Sequence, residues 1–271
     1  MILTPFTAGD VTAFLTLARQ EGWIAEPWEC DFLLNTFPDG CFTARNDAGE
    51  TVGFVTSLRH GTSGWIGNLI VVKQLRGTGV GTALFCAALG ALRDGGAATI
   101  WLTASRSGAP LYEKYHFTAV DTIQRWVGVG TSHHGRQLPV VPCPESFRAL
   151  DADGWGDRRD ALLEVTCGRG GAVARDGGCI VRQPCGVAVQ IGPFGAVDDI
   201  AAAALFDGMF QTIATGTKLF VDAPAANRGA AGLYRQYGMT IAGSNLLMYA
   251  GVQPEYRPEL VYGLATLGSC G

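Results

Sequence analysis

Between residues 10 and 20 the apolar positions are Val11, Phe14, Leu15 and Ala18, the spacing of one helix face. A second short helix is expected over 32–37, ahead of the turn signal Pro38-Asp39-Gly40. The period then shortens. Residues 41–45, 51–59 and 65–73 read as strands separated by Asn46-Asp47-Ala48-Gly49 and Gly61-Thr62-Ser63-Gly64, which predicts a three-stranded antiparallel meander. Helical spacing returns over 79–93 and stops at Gly95-Gly96. Residues 99–104 follow as a strand, 109–115 as a helix and 118–129 as a last strand.

This order recurs further along the chain. A shift of 122 carries Leu111 onto Leu233, Tyr112 onto Tyr234, Tyr115 onto Tyr237, Phe117 onto Met239 and Trp126 onto Met248. A shift one shorter lays Ala83-Leu84-Phe85 on Ala204-Leu205-Phe206. Two copies of one α/β unit are therefore expected, each a central mixed sheet flanked by helices. They occupy 1–130 and 145–271. Residues 131–144, with His133-His134 and several prolines, read as the linker.

Composition narrows the picture. With 48% hydrophobic and 16% charged residues the chain can bury a core and is not disordered by charge. Its net charge of −4 argues against a nucleic-acid partner. Eight cysteines, none in a C-x-x-C pair, and four histidines form no metal-ligand pattern, which suggests a reduced, metal-free protein. No stretch is long and apolar enough to span a bilayer and the first residues lack a signal-peptide pattern, so a cytoplasmic location is expected. Nothing in the sequence fixes an oligomeric state.

The stretch richest in chemistry runs from Asn68 to Thr82. A strand enters a turn with glycines at 77, 79 and 81 and leaves it as a helix. Glycines let successive backbone N–H groups close on an anion, and the helix N-terminus adds roughly half a positive charge. No Lys follows as a Walker loop requires, and Thr82 stands where a dinucleotide fingerprint needs Gly. A pyrophosphate cradle of another kind and a merely tight structural turn both fit so far.

The spacing Val71-Val72-x-x-x-Arg76-x-x-Gly79-x-Gly81, followed by Ala109-Pro110-Leu111-Tyr112-Glu113-Lys114-Tyr115-His116-Phe117, resembles the GNAT superfamily of acyl-CoA-dependent N-acetyltransferases. The resemblance covers about 1–129, and the echo over 145–250 resembles the diverged second unit of tandem GNAT proteins. Segments such as Gly154-Trp155-Gly156-Asp157-Arg158, Ile191-Gly192-Pro193, Val221-Asp222-Ala223-Pro224 and Asn227 recur in that subgroup.

The resemblance implies acetyl-CoA as donor and a small-molecule primary amine as acceptor, joined by direct attack in a ternary complex. Leu69, Val71 and Val72 would line the pantetheine arm. Arg76, Gly77, Thr78, Gly79, Val80, Gly81 and Thr82 would hold the pyrophosphate. Tyr112 would protonate the leaving thiolate, and Ser105 stands where the family often has Asn. The strand before the loop holds no carboxylate, so water relayed by Asn68 is the expected route for the amine proton, with Glu26, Glu29, Asp31 and His60 as more distant bases. The acceptor wall would include Trp23, Trp28, Asp31 and His60, the tryptophans serving either as a cation–π surface or as core.

In the second copy the same shift replaces Arg76, Gly77, Gly79 and Gly81 with Asp198, Asp199, Ala201 and Ala203. Two acids there would repel a diphosphate, so this unit reads as a scaffold. The alternative function is a non-catalytic acyl-CoA sensor whose effector binds the second unit.

Overall fold

The structure, a computed structural model, describes residues 1–132 and 138–271. The N-terminal half runs β1 (Ile2–Pro5), α1 (Val11–Gln20), α2 (Pro27–Thr36), β2 (Phe42–Arg45), β3 (Thr51–Arg59), β4 (Ser63–Val71), α3 (Val80–Asp94), β5 (Thr99–Ala104), α4 (Ala109–Glu113) and β6 (Thr118–Val129). The C-terminal half runs α5 (Glu145–Trp155), α6 (Asp160–Arg169), β7 (Gly171–Arg175), β8 (Gly178–Cys185), β9 (Ala188–Ala196), α7 (Asp199–Phe210), β10 (Lys218–Pro224), α8 (Arg228–Gln236), β11 (Thr240–Gly251) and β12 (Val261–Gly263).

Differences from the sequence pattern have local causes. α2 begins at Pro27 rather than at 32, because a proline in the first turn gives up an N–H that no helical carbonyl could accept. β1, too short to show alternation, exists through its pairing with β2, from Ile2 opposite Arg45 to Pro5 opposite Phe42. β4 ends at Val71 because the chain turns into a 3₁₀ segment over Lys73–Leu75.

Among the described residues the sheet has twelve strands in the order β1-β2-β3-β4-β5-β11-β6-β10-β9-β8-β7, with β12 beside β9. Each half is antiparallel except at one place: β4 runs parallel to β5, and β9 parallel to β10. The halves are joined by exchange of their long final strands. β11 lies between β5 and β6, while β6 pairs on one side with β11 and on the other with β10. The repeat thus builds two half-sheets with continuous pairing between them.

α3 packs on one face of the N-terminal half-sheet, burying Leu84, Phe85, Ala88 and Leu92. α1 and α2 cover the other face through Phe14, Leu17, Cys30 and Leu33. An aromatic joint links the halves: Trp155 of α5 packs edge-on against Trp65 and Trp101, with Tyr256 against Trp101 and Trp155. Within 131–144, Ser132 bridges to Ala214 and the Pro139 carbonyl accepts from Ala172. His133 and His134 lie outside the described residues. Among the described residues no helix is long and apolar enough to cross a membrane.

Candidate active site

β4 and β5 stay paired from Ser63 opposite Thr99 to Ile66 opposite Leu102, and then part. The opening continues into a cleft of about 270 Å³. Its β4 wall presents Gly67, Asn68 and Leu69; the other presents Thr103, Ser105 and Tyr112. A register shift against β3 falls at 67–70, where Phe54 faces Ile70 but Thr56 faces Gly67. Asn68 sits in this bulge with φ of +53°, a left-handed conformation that Asn tolerates better than most side chains.

Asn68 is tied to a carboxylate. Its amide donates to Glu29 Oε1 at 2.9 Å and to Thr56 Oγ1 at 3.1 Å, which leaves Oδ1 as its free end. Glu29, on α2, is buried and lines the cleft, and burial pushes its carboxyl above the usual carboxylate range. It is the carboxylate among the described lining residues. Across the cleft the Tyr112 ring stands edge-on against Phe85, and burial pushes its phenol up to about 12. The Ser105 hydroxyl accepts from the Gly108 amide at 3.1 Å, so it also shapes the turn into α4.

Beyond β4 the loop 76–82 turns into α3, and its residues are not among those that line the cleft. Gly77 and Gly79 have φ of +78° and +98°, and neither has a heavy atom near the position of a Cβ. The first rung of α3 is Ala83 N–H to the Gly79 carbonyl, so the amides of Val80, Gly81 and Thr82 precede the helical ladder. Arg76, exposed, is tied to its own chain. Its Nη2 lies 2.8 Å from Glu21 and its Nε donates to the Val71 carbonyl at 3.0 Å; the guanidinium holds the Glu21 carboxyl below its usual range. Val72 is similarly engaged, its N–H on Val52 and its carbonyl on Leu75. Of the three strand residues expected along the pantetheine arm, Leu69 is the one on the cleft wall.

The other candidates divide. Trp23 lines the cleft with its neighbours Gly22, Ile24 and Ala25. Trp28 does not: the Arg169 guanidinium stacks over it at 4.0 Å, and its Nε1 donates to Glu26 at 3.1 Å. Glu26 is fully engaged between the halves, accepting from Arg169 and from the Gly186 amide. Asp31 is exposed on α2 and lines no part of the cleft. His60 sits where the β3–β4 turn meets Asp157 and Arg159, and burial pushes it down to about 3, so it is neutral at ordinary pH.

Pattern reading missed several lining residues. Arg125 reaches the cleft from β6 while held in a bidentate pair with Asp222 of β10, at 2.8 and 2.6 Å. Asn245 comes from β11 and residues 267–269 from beyond β12.

Family models for the acetyltransferase (GNAT) domain match residues 38–119 and, separately, 147–263. The chain belongs to the GNAT acetyltransferases. Two GNAT domains stand in tandem, the second diverged in its loop. Among solved structures, a candidate acetyltransferase from Pyrococcus horikoshii is similar over 99% of this chain and 95% of its own, with 22% identity and a TM-score of 0.83. A GCN5-related N-acetyltransferase from Sphaerobacter thermophilus is similar over 94% and 98%, with 19% identity and a TM-score of 0.62. No curated protein matches the sequence.

The second GNAT unit has its own splay, and the chain itself fills it. β9 and β10 pair at Leu219–Val189 and Phe220–Gln190 and then part. Into the gap runs β12, Val261 opposite Gly195 and Gly263 opposite Phe194 on the β9 side, while the Leu264 N–H donates to the Asp222 carbonyl of β10. Asn227 and Tyr234, which keep the spacing of Ser105 and Tyr112 in the first unit, bind this strand: Asn227 Nδ2 donates to Val261 O at 2.9 Å, and the Tyr234 hydroxyl donates to Tyr262 O.

The two acids also find partners. Asp198 caps α7, accepting from the Ala201 amide, and Asp199 accepts from the Tyr262 hydroxyl. Eight residues (72–79) separate β4 from α3, whereas two (197–198) separate β9 from α7. The constant shift of 122 therefore misplaces Arg76 and the glycines on acids that belong to a shorter turn.

Proposed function

We infer that the N-terminal GNAT unit transfers acetyl from acetyl-CoA to a primary amine of a small molecule by direct attack in a ternary complex. The observation that carries this reading is the meeting, in one cleft beside a splayed strand pair, of Tyr112 on one wall and the buried Glu29–Asn68 pair on the other. The amides of 77–82 and the N-terminus of α3 suit the pyrophosphate. Leu69 suits the arm, and Trp23 with the loop before α2 suits the acceptor.

The steps follow from the side chains. An ammonium entering the cleft meets oxygen acceptors, Glu29 and the free Oδ1 of Asn68. Glu29 takes one proton, the neutral nitrogen attacks the thioester carbon and the C–N bond forms. As the C–S bond breaks Tyr112 gives its proton to the departing sulfur, and the nitrogen's second proton returns to the phenolate so formed. This leaves a neutral amide and a protonated Glu29 that releases its proton to solvent. A phenol raised to about 12 remains protonated at neutral pH and is available as that donor. Glu29, named above as one of the more distant bases, thus replaces relayed water as the route for the amine proton.

Release of free thiol in the presence of a panel of primary amines tests the reading; acetyl-CoA bound but never consumed would overturn it. Tyr112→Phe should lower turnover by roughly 10²–10⁴ while leaving acetyl-CoA affinity within a few-fold. For Glu29 the working form is the carboxylate, and burial disfavours it. Log kcat/KM should therefore rise with pH through a limb above the ordinary carboxylate range, and Glu29→Gln should remove that limb and lower turnover by about 10²-fold or more. A profile unchanged in Glu29→Gln would assign the proton to another route.

A sensor with an effector in the second unit is less well supported, since β12 occupies the space such an effector would need.

A further inference from the structure

One wall of the cleft comes from neither the loop nor the paired strands of the N-terminal unit. Residues 267–269 reach it from the far end of the chain because β12 is fixed in the second unit's splay. Beyond β12, the side chains of Gln183 and Gln190 donate to the Ala265 carbonyl at 2.9 and 3.2 Å. Arg125 Nη2 then donates to Leu267 O at 3.2 Å, and Thr103 Oγ1 and Trp65 Nε1 both donate to Gly268 O, at 3.0 and 3.3 Å. The segment is held from both halves.

Its approach to β4 is close. A Cβ on Gly67 would lie 2.0 Å from the Ser269 carbonyl oxygen, so the bare backbone at 67 is what lets the tail lie there. Gly268 makes its turn with φ of +96°. The Ser269 hydroxyl ends up buried on the cleft beside the Glu29 carboxyl, near enough to favour its ionised form but without a well-formed hydrogen bond, on a wall that also faces Asn68. A buried hydroxyl whose hydrogen bond is poorly formed is costly, and beside a carboxylate in a cleft a ligand N–H can complete it.

We propose that Ser269 is an acceptor-binding residue of the N-terminal site, accepting an N–H of the primary amine beside Glu29, and that residues 267–269 form the wall that limits which amines fit. The proposal rests on the acetyl-transfer reading above. The cleft volume of about 270 Å³, shared between the acetyl end and the acceptor, suits a slender amine. In the tandem arrangement the second GNAT unit then serves the first: the splay between β9 and β10 anchors the strand that leads to the acceptor wall.

The experiment uses the full chain, with acetyl-CoA binding by calorimetry and thiol release with primary amines of graded width, from linear alkylamines to glucosamine. Ser269→Ala keeps every main-chain bond of the tail, and it should raise KM for the best amine roughly tenfold with acetyl-CoA affinity unchanged within about twofold. Thr103→Val removes a donor from the Gly268 carbonyl, and it should raise the relative kcat/KM of the wider amines. An unchanged amine KM in Ser269→Ala, with an unchanged panel order in Thr103→Val, overturns the proposal while leaving the acetyl-transfer reading intact. A wild type that binds no acetyl-CoA, or that transfers to no amine, overturns that reading and the proposal with it.

Discussion

A chain ending after Gly130 should fail to fold as a stable monomer. In the intact protein β6 makes its sheet bonds with β10 over 123–129 and with β11 over 118–127, all from the other half. Without them a twelve-residue strand carrying buried Ile123 and Trp126 has no ladder, and β5 loses the antiparallel partner that runs from Leu246 to Gly251. Trp65 and Trp101 lose Trp155, Tyr256 and Leu247, and become an exposed apolar patch beside an open sheet edge. Four buried large side chains (Trp65, Trp101, Ile123 and Trp126), at about 1.5–3 kcal/mol each, match the 5–15 kcal/mol by which a domain is ordinarily stable. The fragment is expected in the insoluble fraction, or without cooperative melting. Co-expression with residues 131–271 should recover a soluble complex. A monomeric fragment with a sharp thermal transition would mean that β6 can return to its own half, and that the exchange is an option rather than a requirement.

The sequence pattern read local structure and the antiparallel β2–β3–β4 meander well, and the pairing between the halves not at all, for a physical reason. Thr99–Ala104 and Thr118–Val129 follow from alternation and bounding turns, and appear where expected. Alternation says which face of a strand is buried and nothing about which neighbour buries it, so β6 and β11 satisfy the same pattern whether or not they are exchanged. Gly77 and Gly79 were readable because their left-handed conformations are a property of single residues. Glu29 was visible as a carboxylate, but its burial and its bond to Asn68 depend on α2 docking over the β4 bulge. The tail lay furthest from reach. Gly67 and Gly268 look like any other glycines until Trp65 is found donating to a carbonyl some two hundred residues away. The recurring segments of the second copy proved to be joints: Trp155 enters the tryptophan cluster, Asp157 accepts from Thr62 and Ser63, and Asp222 holds Arg125.

Calorimetric titration with CoA should saturate at one equivalent per chain. Repulsion by Asp198 and Asp199 was the reason available from the sequence, but their places in the structure supply a stronger one. Asp198 is spent on the α7 cap and Asp199 on Tyr262, and the groove beside them is filled. An arm entering between β9 and β10 would have to expel β12, breaking the Asn227 and Tyr234 bonds and the Leu264–Asp222 bond together, and would expose the buried Val261, Tyr262 and Leu264. Those three side chains alone represent about 5 kcal/mol or more of burial, a large part of the free energy of a micromolar ligand, near 8 kcal/mol. The shortened turn also lacks the glycine amides that the first unit offers. Asp198→Ala should therefore lower stability by about 1 kcal/mol through the lost cap and leave the stoichiometry at one. Gly79→Val should take it to zero, because a β-branched residue cannot hold φ of +98° without strain and its side chain would project at the mouth of the first loop. A stoichiometry of two in the wild type would place a cofactor in the groove that β12 now fills and would require that strand to leave it, and a stoichiometry of one in Gly79→Val would remove the pyrophosphate role from the first loop.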